Sequence, residues 1–217
     1  MRHLVVFDLD GTLTRRDTYV RYLFGYLVCH PWRFVRTLHL PWVVLQFYLG
    51  RISNTELKER FLSACLGGLE RPALLRWTQT FLDELFAGGF VQEGLMTLDR
   101  HQKQGDILVL LTASLDLYVD HVGSRLGFHH VICSRVEWQR DKLSGRLSGP
   151  NRYGAEKVRC LRSLKEQYRG YPVIAYADHH SDIPFLQLAD EGVLINGTAR
   201  SCRLARQSGI LHRVWTS

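Results

Sequence analysis

Asp8 and Asp10 stand two residues apart in Asp8-Leu9-Asp10-Gly11-Thr12, and Asp178 and Asp182 stand four apart late in the chain. Clustered carboxylates push each other's proton affinities apart. One can then stay ionised while its neighbour carries a proton. An ionised carboxylate can attack phosphorus and form an acyl-phosphate that water later opens; a protonated one can serve the leaving oxygen. This division makes Asp8 the nucleophile and Asp10 the acid and base. A lone aspartate at a strand end more often caps a turn, so the reading rests on the set. Carboxylates facing a phosphate need a cation. Magnesium suits oxygen ligands and usually takes one or two carboxylates plus the substrate's phosphate. The expected ligands are Asp8, the backbone carbonyl of Asp10 and Asp178, with Asp182 bound directly or through water. Asp182 could equally cap the helix that opens at Ile183. Lys157 could reach the same place as a point charge, and Thr112 could donate a hydroxyl to a phosphate oxygen.

Elements must bring these residues together. Residues 4–7 form an unbroken apolar run ending at Asp8, as a parallel strand covered on both faces does. Similar runs at 107–111, 173–177 and 192–196, with a fifth at 130–133, end at or near Thr112 to Ser114, Asp178 and Asn196. Helix-like stretches at 93–104, 117–126 and 155–168 alternate with them, which predicts an α/β, doubly wound, Rossmann-like parallel sheet. Ligands bind beyond the carboxyl ends of such strands, and there the carboxylates and hydroxyls converge. Residues 17–88 break the alternation and read as helices at 19–29, 32–49, 55–66 and 71–86. The expected division is a catalytic core of 1–16 and 89–217 with a helical cap of 17–88 inserted after the first strand.

Bulk properties narrow the class. The 217 residues carry a formal charge of +7, with arginines dispersed rather than in a compact run. Such a surface attracts anions such as phosphorylated metabolites, but the chain lacks the stacked aromatic and basic platform of a nucleic-acid binder. Five scattered cysteines without a C-x-x-C pair argue against a disulfide framework or a zinc site. The opening residues turn acidic too early for a signal peptide, and a reducing cytoplasm is expected.

Taken in order, the motifs resemble those of the haloacid dehalogenase-like hydrolases. Asp8 to Thr14 matches that family's D-x-D-G-T-[LV] signature without a gap; Leu111 to Ser114 resembles its second motif, Lys157 its third, and Asp178 to Asp182 its fourth. The resemblance implies a magnesium-dependent phosphatase. A cap between the first two motifs, and a small hairpin at 141–147, resemble the phosphoserine phosphatase-like branch. An aspartate at position 10 implies phosphatase rather than dehalogenase chemistry. Phosphate contacts are expected from Gly11, Thr12, Thr112 and Ala113. The fourth motif departs from the usual pattern: Ser181 replaces an asparagine as a small phosphate donor, and His179 and His180, which follow Asp178, either tune the site or are solvated. By the same resemblance Asp17 would contact a substrate amine, and Arg60, across a one-residue gap, a carboxylate. The implied substrate is a small polar phosphate of the phosphoserine type.

Residues 37–50 pull elsewhere, since this run has no formally charged residue and Arg33, Arg36 and Arg51 flank it. Fourteen residues are too few to span a bilayer as a helix. The segment 32–49 is either a cap helix buried against its neighbours or one lying in a membrane interface, where tryptophan and arginine are at home. It resembles the apolar cap of the phosphatidylglycerophosphate phosphatase group, so a lipid phosphate at the inner face of a membrane is the rival expectation. A non-catalytic binding protein on the same fold is a third, weakened by the presence of every key acid.

Overall fold

The computed structural model describes residues 2–216. Six strands form one parallel sheet: β1 (Leu4–Phe7), β2 (Ile107–Leu115), β3 (His130–Ser134), β6 (Val173–Ala177), β7 (Glu191–Ile195) and β8 (Leu211–Arg213), in the order β3-β2-β1-β6-β7-β8. Alternate side chains of β1 feed opposite faces. Val5 and Phe7 join one apolar cluster, and Leu4 and Val6 the other. Helices α5 (Gln92–Gln104) and α6 (Asp116–Arg125) cover the first face, while α7 (Ala155–Gln167), α8 (Ile183–Leu188) and α9 (Ala199–Gln207) cover the second. This is the doubly wound, Rossmann-like fold that the apolar runs predict. The winding reverses between β1 and β6, and a crevice opens at that point.

Two strands differ from expectation. β2 continues four residues past Leu111, and its pairing with β3 slips between Leu111 and Leu115. The irregularity keeps Thr112, Ala113 and Ser114 extended and carries them to the crevice. β8 went unpredicted because its three residues are exposed and form no apolar run; the backbone of β7 recruits them.

Between β1 and β2 lie α1 (Thr18–Cys29), a 3-10 helix (Pro31–Thr37), α2 (Leu40–Tyr48), α3 (Asn54–Leu66) and α4 (Arg71–Gly88). Asp17 caps α1 by accepting from the Val20 amide at 2.8 Å. Ser53 and Glu56 cap α3 reciprocally. The expected helix over 32–49 is two pieces, because a proline inside a helix removes an amide donor and crowds the preceding turn, and Pro41 instead opens α2. Nor is the segment buried: in α2 only Leu40 and Val43 are buried, and in the 3-10 helix no residue is. The other helices share a core with the sheet, with Tyr22, Leu62 and Phe81 in the same cluster as Phe7. A hairpin of β4 (Val136–Gln139) and β5 (Lys142–Leu147) turns through Arg140 and Asp141, both at positive φ. It bonds the helical segment through the Gly68 amide to the Leu143 carbonyl at 2.8 Å and the Leu143 amide to the Leu69 carbonyl at 2.9 Å.

Candidate active site

β1 delivers Asp8 to the crevice, where its amide donates to the Tyr176 carbonyl of β6 at 2.9 Å. The chain then turns at Gly11, whose φ is +70°. A Cβ there would fall on the Asp178 carboxylate, so glycine serves both the turn and the close approach. Asp8, Asp178 and Asp182 each offer a carboxylate oxygen, all within 4.8 Å of one another.

Lys157 enters this group from the first turn of α7. It is only 3% exposed, and its Nζ lies 3.0 Å from Asp8 Oδ2 and 2.8 Å from Asp182 Oδ2. A cation at a helix N-terminus opposes the helix dipole, and burying it adds a desolvation cost. Two carboxylates offset both. Burial alone would lower Lys157; Asp182 and Asp8 outweigh it and hold the ammonium above the usual lysine range. Asp182 stands at the start of α8 but makes no side-chain capping bond, so its carboxylate serves Lys157 instead.

Burial pushes Asp8 up to about 8, with Lys157 opposing and the other carboxylates adding. Burial, then Asp182, pushes Asp178 up to about 7, again with Lys157 opposing. One lysine thus leaves the acidic trio short of positive charge. A hard divalent cation with oxygen ligands fits this donor set.

Asp10 points a different way. Its Oδ1 accepts from the Thr18 amide and hydroxyl, each at 2.6 Å, and its Oδ2 from the Ser114 hydroxyl at 2.5 Å. Thr18 Oγ1 lies 3.0 Å from the Tyr118 hydroxyl. Two elements, α1 and β2, therefore aim one carboxylate, and α6 supports them through Tyr118. Thr18, Ser114 and Tyr118 had no assigned role in sequence; Thr18 and Ser114 reach Asp10 across 8 and 104 residues, Tyr118 acts through Thr18, and none leaves a local pattern.

The cleft over these groups is about 540 Å³ and is lined by Asp8, Asp10, Gly11, Thr112, Ala113, Lys157, Asp178, Ser181 and Asp182, with Arg15, Arg16 and Tyr153 among the remainder. Thr112 Oγ1 accepts from the Ser114 amide at 3.1 Å, which leaves its own proton free for the cleft. Ser181 Oγ lies 2.8 Å from His179 Nδ1. His179 lines the cleft too, and burial and His180 hold it below the usual histidine range. Thr12 is the first correction. It is fully buried, its Oγ1 has no partner and it does not line the cleft, because the turn onto the Leu9 carbonyl directs it inward.

A side cavity of about 300 Å³ adjoins, lined by Asp10, Asp17, Tyr19, Val20, Asn54, Lys58, Phe61 and Tyr153 among others. Burial, then Asp10, raises Asp17 above the ordinary carboxylate value. Arg60 is the second correction: it lines a separate concavity with Glu56, Glu59 and Arg146. Two residues along a helix turn about 200°, so Lys58 faces the cavity and Arg60 the hairpin. Lys58 Nζ donates to the Ala113 carbonyl at 2.6 Å and to Asn151 Oδ1 at 2.9 Å, and Asn151 Nδ2 donates to Asn54 Oδ1 at 2.9 Å. Burial lowers Lys58 to about 8, against the pull of Asp10 and Asp17. In sequence Lys58 is one more surface-like lysine; only tertiary packing distinguishes it.

Comparison with known proteins agrees with this geometry. The family model described as haloacid dehalogenase-like hydrolase matches residues 5–187. The chain is 30% identical to Protein CicA of Caulobacter vibrioides, over 87% of this chain and 83% of that one. It is 21% identical to a histidinol-phosphatase of Neisseria meningitidis, over 96% and 97%. Its fold is similar to that of a substrate-bound phosphoserine phosphatase, with a TM-score of 0.70 at 14% identity over 94% and 90% of the two chains. The ordered acidic motifs, the parallel sheet that gathers them and the match along most of its length lead to one statement: the chain belongs to the haloacid dehalogenase-like hydrolases.

Proposed function

We propose that this hydrolase cleaves phosphomonoesters through an aspartyl-phosphate formed on Asp8. The observation that carries the reading is Asp8 on Lys157 at 3.0 Å, beside Asp178 and Asp182, with Asp10 aimed separately. Asp8 Oδ attacks phosphorus as the bond to the leaving oxygen breaks, and Asp10 gives that oxygen a proton. Water then attacks phosphorus, Asp10 takes the water's proton, and the bond between Asp8 and phosphorus breaks to free phosphate and carboxylate. Lys157 holds Asp8 in line and offsets charge on the transferring group. Gly11, Thr112, Ala113 and Ser181 would donate to phosphate oxygens. Asp8, Asp178, Asp182 and the Asp10 carbonyl would hold Mg2+, which supplies positive charge against the phosphate oxygens.

Residues 17–88 would act as the cap and select the leaving group. Asp17 suits an ammonium and Lys58 an anionic group, which favours an amino-alcohol phosphate of the phosphoserine or histidinol phosphate kind. The similarity to a phosphoserine phosphatase and a histidinol-phosphatase supports this. A lipid phosphate is the second reading, favoured by the apolar part of the side cavity, Tyr19, Val20, Leu57 and Phe61. Phosphate release from both classes, with and without Mg2+, tests the proposal. Asp8→Asn should bring turnover to background; a variant that keeps its rate would refute the covalent route.

A further inference from the structure

No aspartate or glutamate occurs from Thr18 to Thr55, while Arg21, Arg33, Arg36 and Arg51 do. The same stretch holds much of the chain's exposed apolar surface: Trp32 is 69% exposed, Leu38 76% and Tyr48 81%, with Trp42 and Leu49 also open. On α1 the exposed residues Val20, Phe24 and Val28 recur every fourth position and so share one face. Val20 also lines the side cavity beside Asp17 and Lys58. An apolar stripe therefore starts at that cavity, runs about 12 Å along α1 at 1.5 Å per residue, and leads into the 3-10 helix and α2.

We propose that this face docks on an anionic lipid bilayer. Contiguous apolar surface of this kind marks a contact site, and the charge around it selects the partner. Arg21 lies 3.9 Å from Glu84, but among the described residues Arg33, Arg36 and Arg51 form no ion pair, and such positive residues are drawn to anionic headgroups. Tryptophan and tyrosine favour the boundary between headgroup and acyl chain. Arg33 and Arg36 are held beside the patch, since they donate to the carbonyls of Cys65, Gly67 and Ser63 at 2.8–3.0 Å. Among the described residues no helix is long and apolar enough to cross a membrane, so the segment lies in the plane of the interface. Docking would bring lipid beside the side cavity. The binding itself does not depend on the reaction assigned to Asp8, whereas use of a lipid phosphate does.

Flotation of the full chain with vesicles of phosphatidylcholine, alone or mixed with phosphatidylglycerol, tests the inference. The chain should float with the mixed vesicles and stay behind with the neutral ones. Trp32→Glu with Trp42→Glu should cut binding by about tenfold or more, and Arg51→Gln by about fivefold. These side chains are exposed, so thermal unfolding should not move. Asp8→Asn should bind vesicles like the parent, which separates failure of docking from failure of the chemistry. Absence of flotation on the mixed vesicles overturns the inference, as does equal flotation on both kinds. So does a dimer in sedimentation that the tryptophan substitutions dissociate without any vesicle binding, which would assign the face to a second copy.

Discussion

Lys157→Met removes the cation shared by Asp8 and Asp182 while keeping most of the side-chain volume. In the parent both contacts, at 3.0 and 2.8 Å, are buried. Removing one partner of a buried ion pair costs about 3–5 kcal/mol, because the other charge is left uncompensated. For a chain of 217 residues, at about 2–4 °C per kcal/mol, Tm should fall by roughly 10 °C. The loss depends on pH. Asp8 holds its proton to about 8 in the fold, against 3.8 as its ordinary value, so between these values the folded chain binds more protons than the unfolded one. Stability contributed by such a group is present at low pH and is lost as pH rises. Lys157 opposes that shift, so its removal should steepen the decline. Metal-free thermal unfolding at pH about 5 and about 8 reads the effect: a small loss at the lower pH and the full loss at the higher, partly restored by Mg2+. An equal loss at both values, or none at pH about 8, would show that Lys157 is not the compensating charge.

Two further substitutions follow from the geometry. Gly11→Ala puts a Cβ where the Asp178 carboxylate lies, at a φ of +70°; the fold should persist while Mg2+ affinity by calorimetry falls about 10–100-fold, and unchanged affinity would contradict the placement. Lys58→Met should raise KM for an amino-alcohol phosphate far more than it lowers kcat, and should cost about 1–3 kcal/mol in urea unfolding by leaving the Ala113 carbonyl unpaired. Because Lys58 loses its proton at about 8, the parent's KM should climb above that pH and the variant's should not; parallel profiles would count against the assignment.

Strand positions and the acidic motifs were legible because each depends on a few consecutive residues. A run such as Leu4–Phe7 is apolar at every position since both faces of its strand are covered. Gly11 and the D-x-D spacing follow from one turn. Long-range pairings were not legible. The donors on Asp10 come from Thr18 and from Ser114, 104 residues away. Lys58 and Arg60 have similar charge and are two residues apart; only the rotation of α3 sends one to the cavity and the other to the hairpin. Thr12 was expected to contact phosphate from the turn after Asp10, but that turn buries it.

The segment 32–49 shows the same limit from the other side. Its composition established a run without charge and flanked by arginines. Whether that run packs inward or faces out depends on how much surface the neighbouring helices offer, and α3 covers only part of α2, through contacts to Leu40 and Val43. Sequence alone determined which chemical groups the chain carries, the strands that carry them and the period on which they recur, because local sterics and burial on both faces act residue by residue. Tertiary structure decided which carboxylate meets the lysine, which lysine meets the cleft and which apolar residues stay exposed, because those outcomes depend on distances between elements that no local pattern encodes.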